Sequence, residues 1–183
     1  MDIQEQLLDH VIVLKAQTGD GQAYTRLIER YHKRLLYYLR RLADDEAAAE
    51  DMAQNVWFTV FQSLSTLRDP QAFAAWLFRI ARRQAALSVR HLRKERKALE
   101  TLPVENNREN TLEFPHDAEI IHTALQQLKI EHREVLVLKY FEELTYEDIA
   151  YVTELNIGTV RSRIHYAKQA LKKEMEALRH EPG

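Results

Sequence analysis

The chain has no cysteine. That absence excludes disulfide bonds, zinc–cysteine sites and thiol catalysis, and it fits a cytoplasmic home. Glycine is almost as scarce. Gly19, Gly21, Gly158 and Gly183 are the four present, and none belongs to a GxxxxGK or GxGxxG run. The phosphate-cradling loops of common nucleotide-binding enzymes are therefore missing. No stretch approaches the ~20 consecutive apolar residues a membrane span needs. The opening MDIQEQLLDH is acidic where a secretory signal would be basic. Neither sign of charge dominates: 26 Lys+Arg against 28 Asp+Glu leave a formal net charge of -2. What remains is 183 residues that are 45% apolar, enough to close at least one core.

Those apolar residues recur with helical period, and alternating strand patterns are scarce. The spacing predicts helices over residues 3–17, 22–42, 46–64 and 70–97. Asp44 and Asp45 can cap the third. Asp69-Pro70 suits the start of the fourth, with Pro at the first helical position. A different composition follows. Residues 99–119 hold two prolines, three asparagines and six acidic residues against one Arg, the make-up of a linker. Helices return over 117–128, 131–141, 145–152 and 157–178. Thr145 with Asp148 reads as a capping box, and Asn156 can cap the last helix. The expected fold is all-α: two helical domains joined by an acidic linker, the C-terminal one a helix-turn-helix.

The stretch 144–175 carries most information. A short helix, a turn of a few residues and a longer basic helix make a helix-turn-helix. With each residue ~100° from the last, Val160, Ile164, Ala167, Leu171 and Met175 share one narrow stripe that must pack inward. Arg161, Ser162, His165, Lys168, Gln169 and Lys172 fall on the other side, and those types reach base edges and phosphates. Gly158 and Thr159 lie in the first turn, where a helix N-terminus can approach a phosphate.

The fourth predicted helix has its own cationic face. Residues 79–97 contain eight Lys or Arg and one acid, Glu95. Arg79, Arg82, Arg83, Arg90, Arg93, Lys94 and Lys97 share a sector roughly 120° wide, an electrostatic footprint for a nucleic-acid backbone. Phe73, Trp76, Leu77, Ile80 and Leu87 should form the adjoining core face. On the third helix, Met52, Val56, Val60 and Leu64 read as inward, widened by Trp57 and Phe61. Opposite them Asp51, Gln54, Asn55 and Gln62 surround Phe58. Phe58 is either part of a docking surface for another protein or packed against the first helix.

Other classes fit less well. A conventional helix-turn-helix regulator needs a symmetric dimer on a palindromic site. A helical metalloenzyme needs ligands at i, i+3 or i+4. The pairs His116/His122 and His122/His132 have other spacings and suggest exposed histidines.

Over nearly its whole length the chain resembles a bacterial sigma factor of the extracytoplasmic-function group of the sigma-70 family. The first half carries GDGQAYTRLIERYHKRLLYYLRRL (19–42), AEDMAQNVW (49–57) and FAAWLFRIARR (73–83). The second carries LKIEHREVLVLKYFEELTYEDIA (128–150) and IGTVRSRI (157–164). The resemblance implies a region 2 domain over 1–98 for polymerase binding and minus-10 recognition and melting. It implies a linker over 99–116 and a region 4 domain over 117–183 for minus-35 recognition. Asp51, Gln54, Asn55, Phe58 and Gln62 would meet the β′ clamp helices of core RNA polymerase, with the β flap as a second contact. Residues 65–71, including Arg68, Asp69 and Gln71, match the loop that captures an unstacked minus-10 base. The arginine stripe would hold adjoining DNA. Arg161, Ser162 and His165 match minus-35-contacting positions. An anti-sigma factor is a further implied partner. No catalytic residue, cofactor, metal or small-molecule substrate is implied.

Some positions depart from the family's usual pattern. Glu154 stands where Gly is common in the turn, which suggests a locally different turn. Asn156 replaces Pro or Ser, Tyr166 replaces Arg, Asn55 replaces Glu, and Arg83 and Leu87 replace Asn and Asp.

Overall fold

The computed structural model describes residues 3–43, 45–98 and 116–180, with side chains from 4–5, 7–43, 45–87 and 120–179. Asp44 and all of the predicted linker except His116 lie outside the described residues. The chain divides into two compact units. The first carries α1 (Ile3–Gln17), α2 (Gly21–Arg40), α3 (Glu46–Ser63) and α4 (Phe73–Ala98). The second carries α5 (His116–Gln127), α6 (Ile130–Leu136), α7 (Tyr146–Thr153) and α8 (Ile157–His180). The last turn of α7, Tyr151–Thr153, is grouped with the first unit.

In the first unit α2 packs against α1, α3 and α4. Its buried residues recur every three or four positions: Ala23, Leu27, Tyr31, Leu35, Tyr38 and Leu39. Asp20 starts this helix by accepting hydrogen bonds from the Gln22 and Ala23 amides. Asp45 starts α3 through the Ala48 amide at 2.7 Å. Edge-on aromatic pairs tie α2 to α4: Tyr31 with Phe73 at 5.0 Å and Tyr38 with Phe78 at 5.3 Å between ring centroids. Such pairs add about 0.5–1.5 kcal/mol beyond area burial. The α1–α2 contact holds a buried carboxylate. Asp9 accepts from the Tyr31 hydroxyl at 2.7 Å and pairs with Arg30. Burial, then the bond to Asp9, holds the Tyr31 phenol far above its ordinary range.

Three expectations for this unit need correction. The fourth helix does not open at Pro70. Asp69 caps a 3-10 turn, Pro70–Ala72, and the α-helix starts at Phe73. Its buried stripe runs through Phe73, Leu77, Phe78, Ala81 and Ala85, and Leu87 is 57% exposed. Trp76 and Ile80, expected in the core, are only half-buried. Phe61 does not widen the core. It meets the Tyr24 ring at 5.3 Å along one edge and is otherwise open, at 68% exposure.

In the second unit α8 packs against α5 and α6. The core is Ala124, Leu125, Leu128, Val135, Leu136, Val137, Leu138, Leu144, Ile149, Val160, Ile164 and Ala167. The helix predicted over 131–141 widens into a π-helical turn at Val137–Phe141. His122, expected to be exposed, is buried, with its ring 6.0 Å from that of Phe141.

Arg133 closes the end of α5. It is buried, and its guanidinium donates to Leu125 O at 2.9 Å, Gln126 O at 2.7 Å and Leu128 O at 3.0 Å. These carbonyls lie at the end of α5 and just past it, where the helix ladder runs out of amide donors. Replacing Arg133 by Ala should cost about 2–4 kcal/mol, since buried acceptors lose a charged donor. Both tryptophans, Trp57 and Trp76, lie in the first unit. In urea, the Arg133→Ala transition should therefore move to lower concentration by circular dichroism while the tryptophan-fluorescence transition stays put. Equal stability to the parent by dichroism would contradict the capping role.

Candidate nucleic-acid interface

The helix-turn-helix is built by local chemistry. At the start of α7 the Thr145 hydroxyl accepts from the Asp148 amide at 3.0 Å. The Asp148 carboxylate accepts from the Thr145 amide at 3.1 Å, completing a capping box. Glu154 ends α7 in the left-handed conformation, φ 57 and ψ 32. The turn thus keeps the glycine-type backbone despite its side chain, contrary to the expectation of a locally different turn. Asn156 then starts α8: its Oδ1 accepts from the Thr159 amide at 2.8 Å and from the Thr159 hydroxyl at 2.9 Å.

These caps fix the roll of α8. Val160, Ile164 and Ala167 are buried and Leu171 and Met175 half-buried, while Arg161, Ser162, His165, Lys168 and Gln169 are exposed on the other side. Gly158 is exposed in the first turn. Thr159 is half-buried with its hydroxyl turned back to Asn156, and Ser162 donates to Thr159 O at 3.0 Å. His165 Nε2 lies 3.0 Å from Gln169 Nε2, so the two side chains form one polar unit on the exposed face. No acidic residue occurs between Ile157 and Lys173.

In the first unit the loop between α3 and α4 opens with a 3-10 turn at Leu64–Thr66 and closes with the one at Pro70–Ala72. Arg68, Asp69 and Gln71 are exposed between them, and the Asp69 carboxylate accepts from the Gln71 amide at 2.9 Å. On α4, Arg83 is exposed, whereas Arg79 and Arg82 are half-buried. The side chains of Arg90 and Arg93 lie outside the described residues. On α3, Asp51, Gln54, Asn55, Phe58 and Gln62 are all exposed, Phe58 at 62%. The open choice for Phe58 falls against packing on α1.

One residue that no local feature marks, and one expected in the core, adjoin these surfaces. Gln17 reaches from α1 to the loop after α3, and Phe61 adds a second exposed ring on α3. Neither has a local signal. Gln17 is a polar residue before a glycine turn, and Phe61 sits at helical spacing from the core.

A bipartite helical protein whose C-terminal unit presents a cationic recognition helix is a DNA-binding protein. The chain matches the family models for Sigma-70 region 2 over residues 27–98 and Sigma-70, region 4 over residues 118–171. It is 33% identical over 191 residues to the RNA polymerase sigma-H factor of Pseudomonas aeruginosa, covering 97% of this chain and 98% of that one. It is 28% identical over 189 residues to the ECF RNA polymerase sigma-E factor of Escherichia coli K12, covering 96% and 98%. Among solved structures, the sigma factor RpoE in complex with the anti-sigma factor NepR from Bartonella quintana is similar at a TM-score of 0.68 and 22% identity, covering 84% of this chain and 96% of that chain. CnrH in complex with the cytosolic domain of CnrY is similar at 0.65 and 23%, covering 92% and 97%. Those two likenesses concern the fold. The chain belongs to the extracytoplasmic-function group of the sigma-70 family, the subunits that direct promoter-specific initiation by RNA polymerase.

The turn itself gives a test. A non-glycine residue in the left-handed region costs about 1 kcal/mol or more. Glu154→Gly should stabilise the second unit by about 0.5–1 kcal/mol, because glycine takes positive φ without steric cost. Urea unfolding followed by circular dichroism checks this. A loss of stability would mean that contacts of the Glu154 side chain outweigh the backbone cost.

Proposed function

We propose that residues 1–98 bind core polymerase and open the minus-10 element, that 99–116 form a linker, and that 117–183 read the minus-35 element. The exposed polar face of α8, opposite its buried stripe, carries this reading. Gly158 and Thr159 sit near a phosphate at the helix start. Arg161, Ser162, His165, Lys168 and Gln169 meet base edges and backbone in the major groove. In the first unit Arg68, Asp69 and Gln71 line the capture of an unstacked base, which costs a few kcal/mol to extrude. Arg79, Arg82, Arg83, Arg90 and Arg93 hold the adjoining strand.

Asp51, Gln54, Asn55, Phe58 and Gln62 take the β′ clamp helices, with Phe58 as the apolar anchor inside a polar rim. The β flap takes a groove of about 420 Å³ lined by Leu136, Tyr140, Leu171 and Met175 and rimmed by Lys168, Lys172, Glu176 and Arg179. An anti-sigma factor covers the polymerase-binding face, with Phe58 and Phe61 as its apolar contacts. The chain performs no chemistry of its own, uses no cofactor and works in the cytoplasm, where the polymerase is.

Phe58→Glu tests the docking face. The side chain is exposed, so the fold should survive. Affinity for core polymerase should fall about tenfold or more, the ~1.4 kcal/mol or greater typical of a lost hot-spot residue. Promoter-directed run-off transcription at limiting protein should fall with it. Unchanged core affinity would remove Phe58 and its face from the interface.

A further inference from the structure

We propose that Gln17 is the positioning residue for the minus-10 capture loop, an inference that rests on the role given above to residues 65–71. Gln17 is the last residue of α1 and is half-buried. Its Nε2 donates to Leu64 O at 3.0 Å and to Leu67 O at 2.6 Å. A side-chain amide has two N–H protons, enough to serve both carbonyls.

Those carbonyls stand at the entry and exit of the 3-10 turn. The Leu67 amide donates to Leu64 O at 3.1 Å, and Leu67 has already left the helix at φ -69 and ψ 112. One side chain therefore fixes where the chain departs from α3. Helix α1 also packs against both 3-10 turns, Leu64–Thr66 and Pro70–Ala72. Two local bonds stiffen the same root: the Thr66 hydroxyl donates to Ser63 O at 2.6 Å and the Ser63 hydroxyl to Thr59 O at 2.5 Å. At the far side Asp69 holds the Gln71 amide. The loop is thus fixed at its root and open at its tip, where Arg68, Asp69 and Gln71 are exposed.

A loop ordered before binding loses less entropy when it takes its ligand. The side chain at position 17 must be a donor. Methionine has a similar length but offers no proton, whereas lysine can donate to the same two oxygens.

The test uses holoenzymes assembled from core polymerase and the full chain: parent, Gln17→Met, Gln17→Lys and Gln71→Ala. The probe is a labelled single-stranded non-template oligonucleotide spanning the minus-10 element of a promoter the parent holoenzyme transcribes. Gln17→Met should bind it about tenfold more weakly with core affinity unchanged, and Gln17→Lys should recover most of the loss. Gln71→Ala should also bind more weakly. If Gln71→Ala weakens binding and Gln17→Met does not, the loop reading stands and the role of Gln17 is overturned. If neither variant weakens binding, the loop reading falls and takes this inference with it. A matching loss of core affinity in Gln17→Met would reduce the residue to general support of the fold and overturn the proposal.

Discussion

Phosphate neutralisation supplies most of the non-specific affinity of a free-standing DNA binder. This chain keeps that term small, because its cations are nearly cancelled by its acids, to a formal net charge of -2. The cations are concentrated instead. The first four turns of α8 carry no acid, and residues 79–97 carry one. Acidic residues collect in 99–119 and around the start of α3. We expect weak duplex binding by the free chain, with a second anchor raising the effective concentration of each surface at its site. Core polymerase is that anchor.

The packing serves this arrangement. Helix α8 can leave its cationic face exposed because Val160, Ile164 and Ala167 bury the opposite one, and Asn156 and the capping box at Thr145 set where each helix begins. Helix α3 is divided likewise. Met52, Val56 and Val60 are core, while Asp51, Gln54, Asn55 and Phe58 face outward. The loop between α3 and α4 is irregular at its tip but is tied at its root to α1. Rigid helices thus carry the proposed reading surfaces, and the loop proposed to capture a base is short and anchored at its root.

Much of this was legible in the residues. Helical period, the Asp45 and Asn156 caps and the Thr145–Asp148 pair are local features, and each places an element boundary within a residue or two. The corrections came where tertiary packing decides. Leu87 and Phe61 sit at core spacing, yet Leu87 is 57% exposed and Phe61, set edge-on to Tyr24, is 68% exposed. His122 became core because Phe141 lies beside it. Gln17 and Arg133 act on carbonyls distant in sequence or at another helix's end, and no periodicity points to such partners. Glu154 shows the reverse case, a backbone demand strong enough to hold a residue that dislikes it.

The most direct test of the account compares promoter duplex binding by the purified chain alone and by the same chain bound to core polymerase, at physiological salt. Charge segregation predicts micromolar or weaker binding for the free protein and nanomolar binding for the holoenzyme. Nanomolar, sequence-specific binding by the free chain would contradict it.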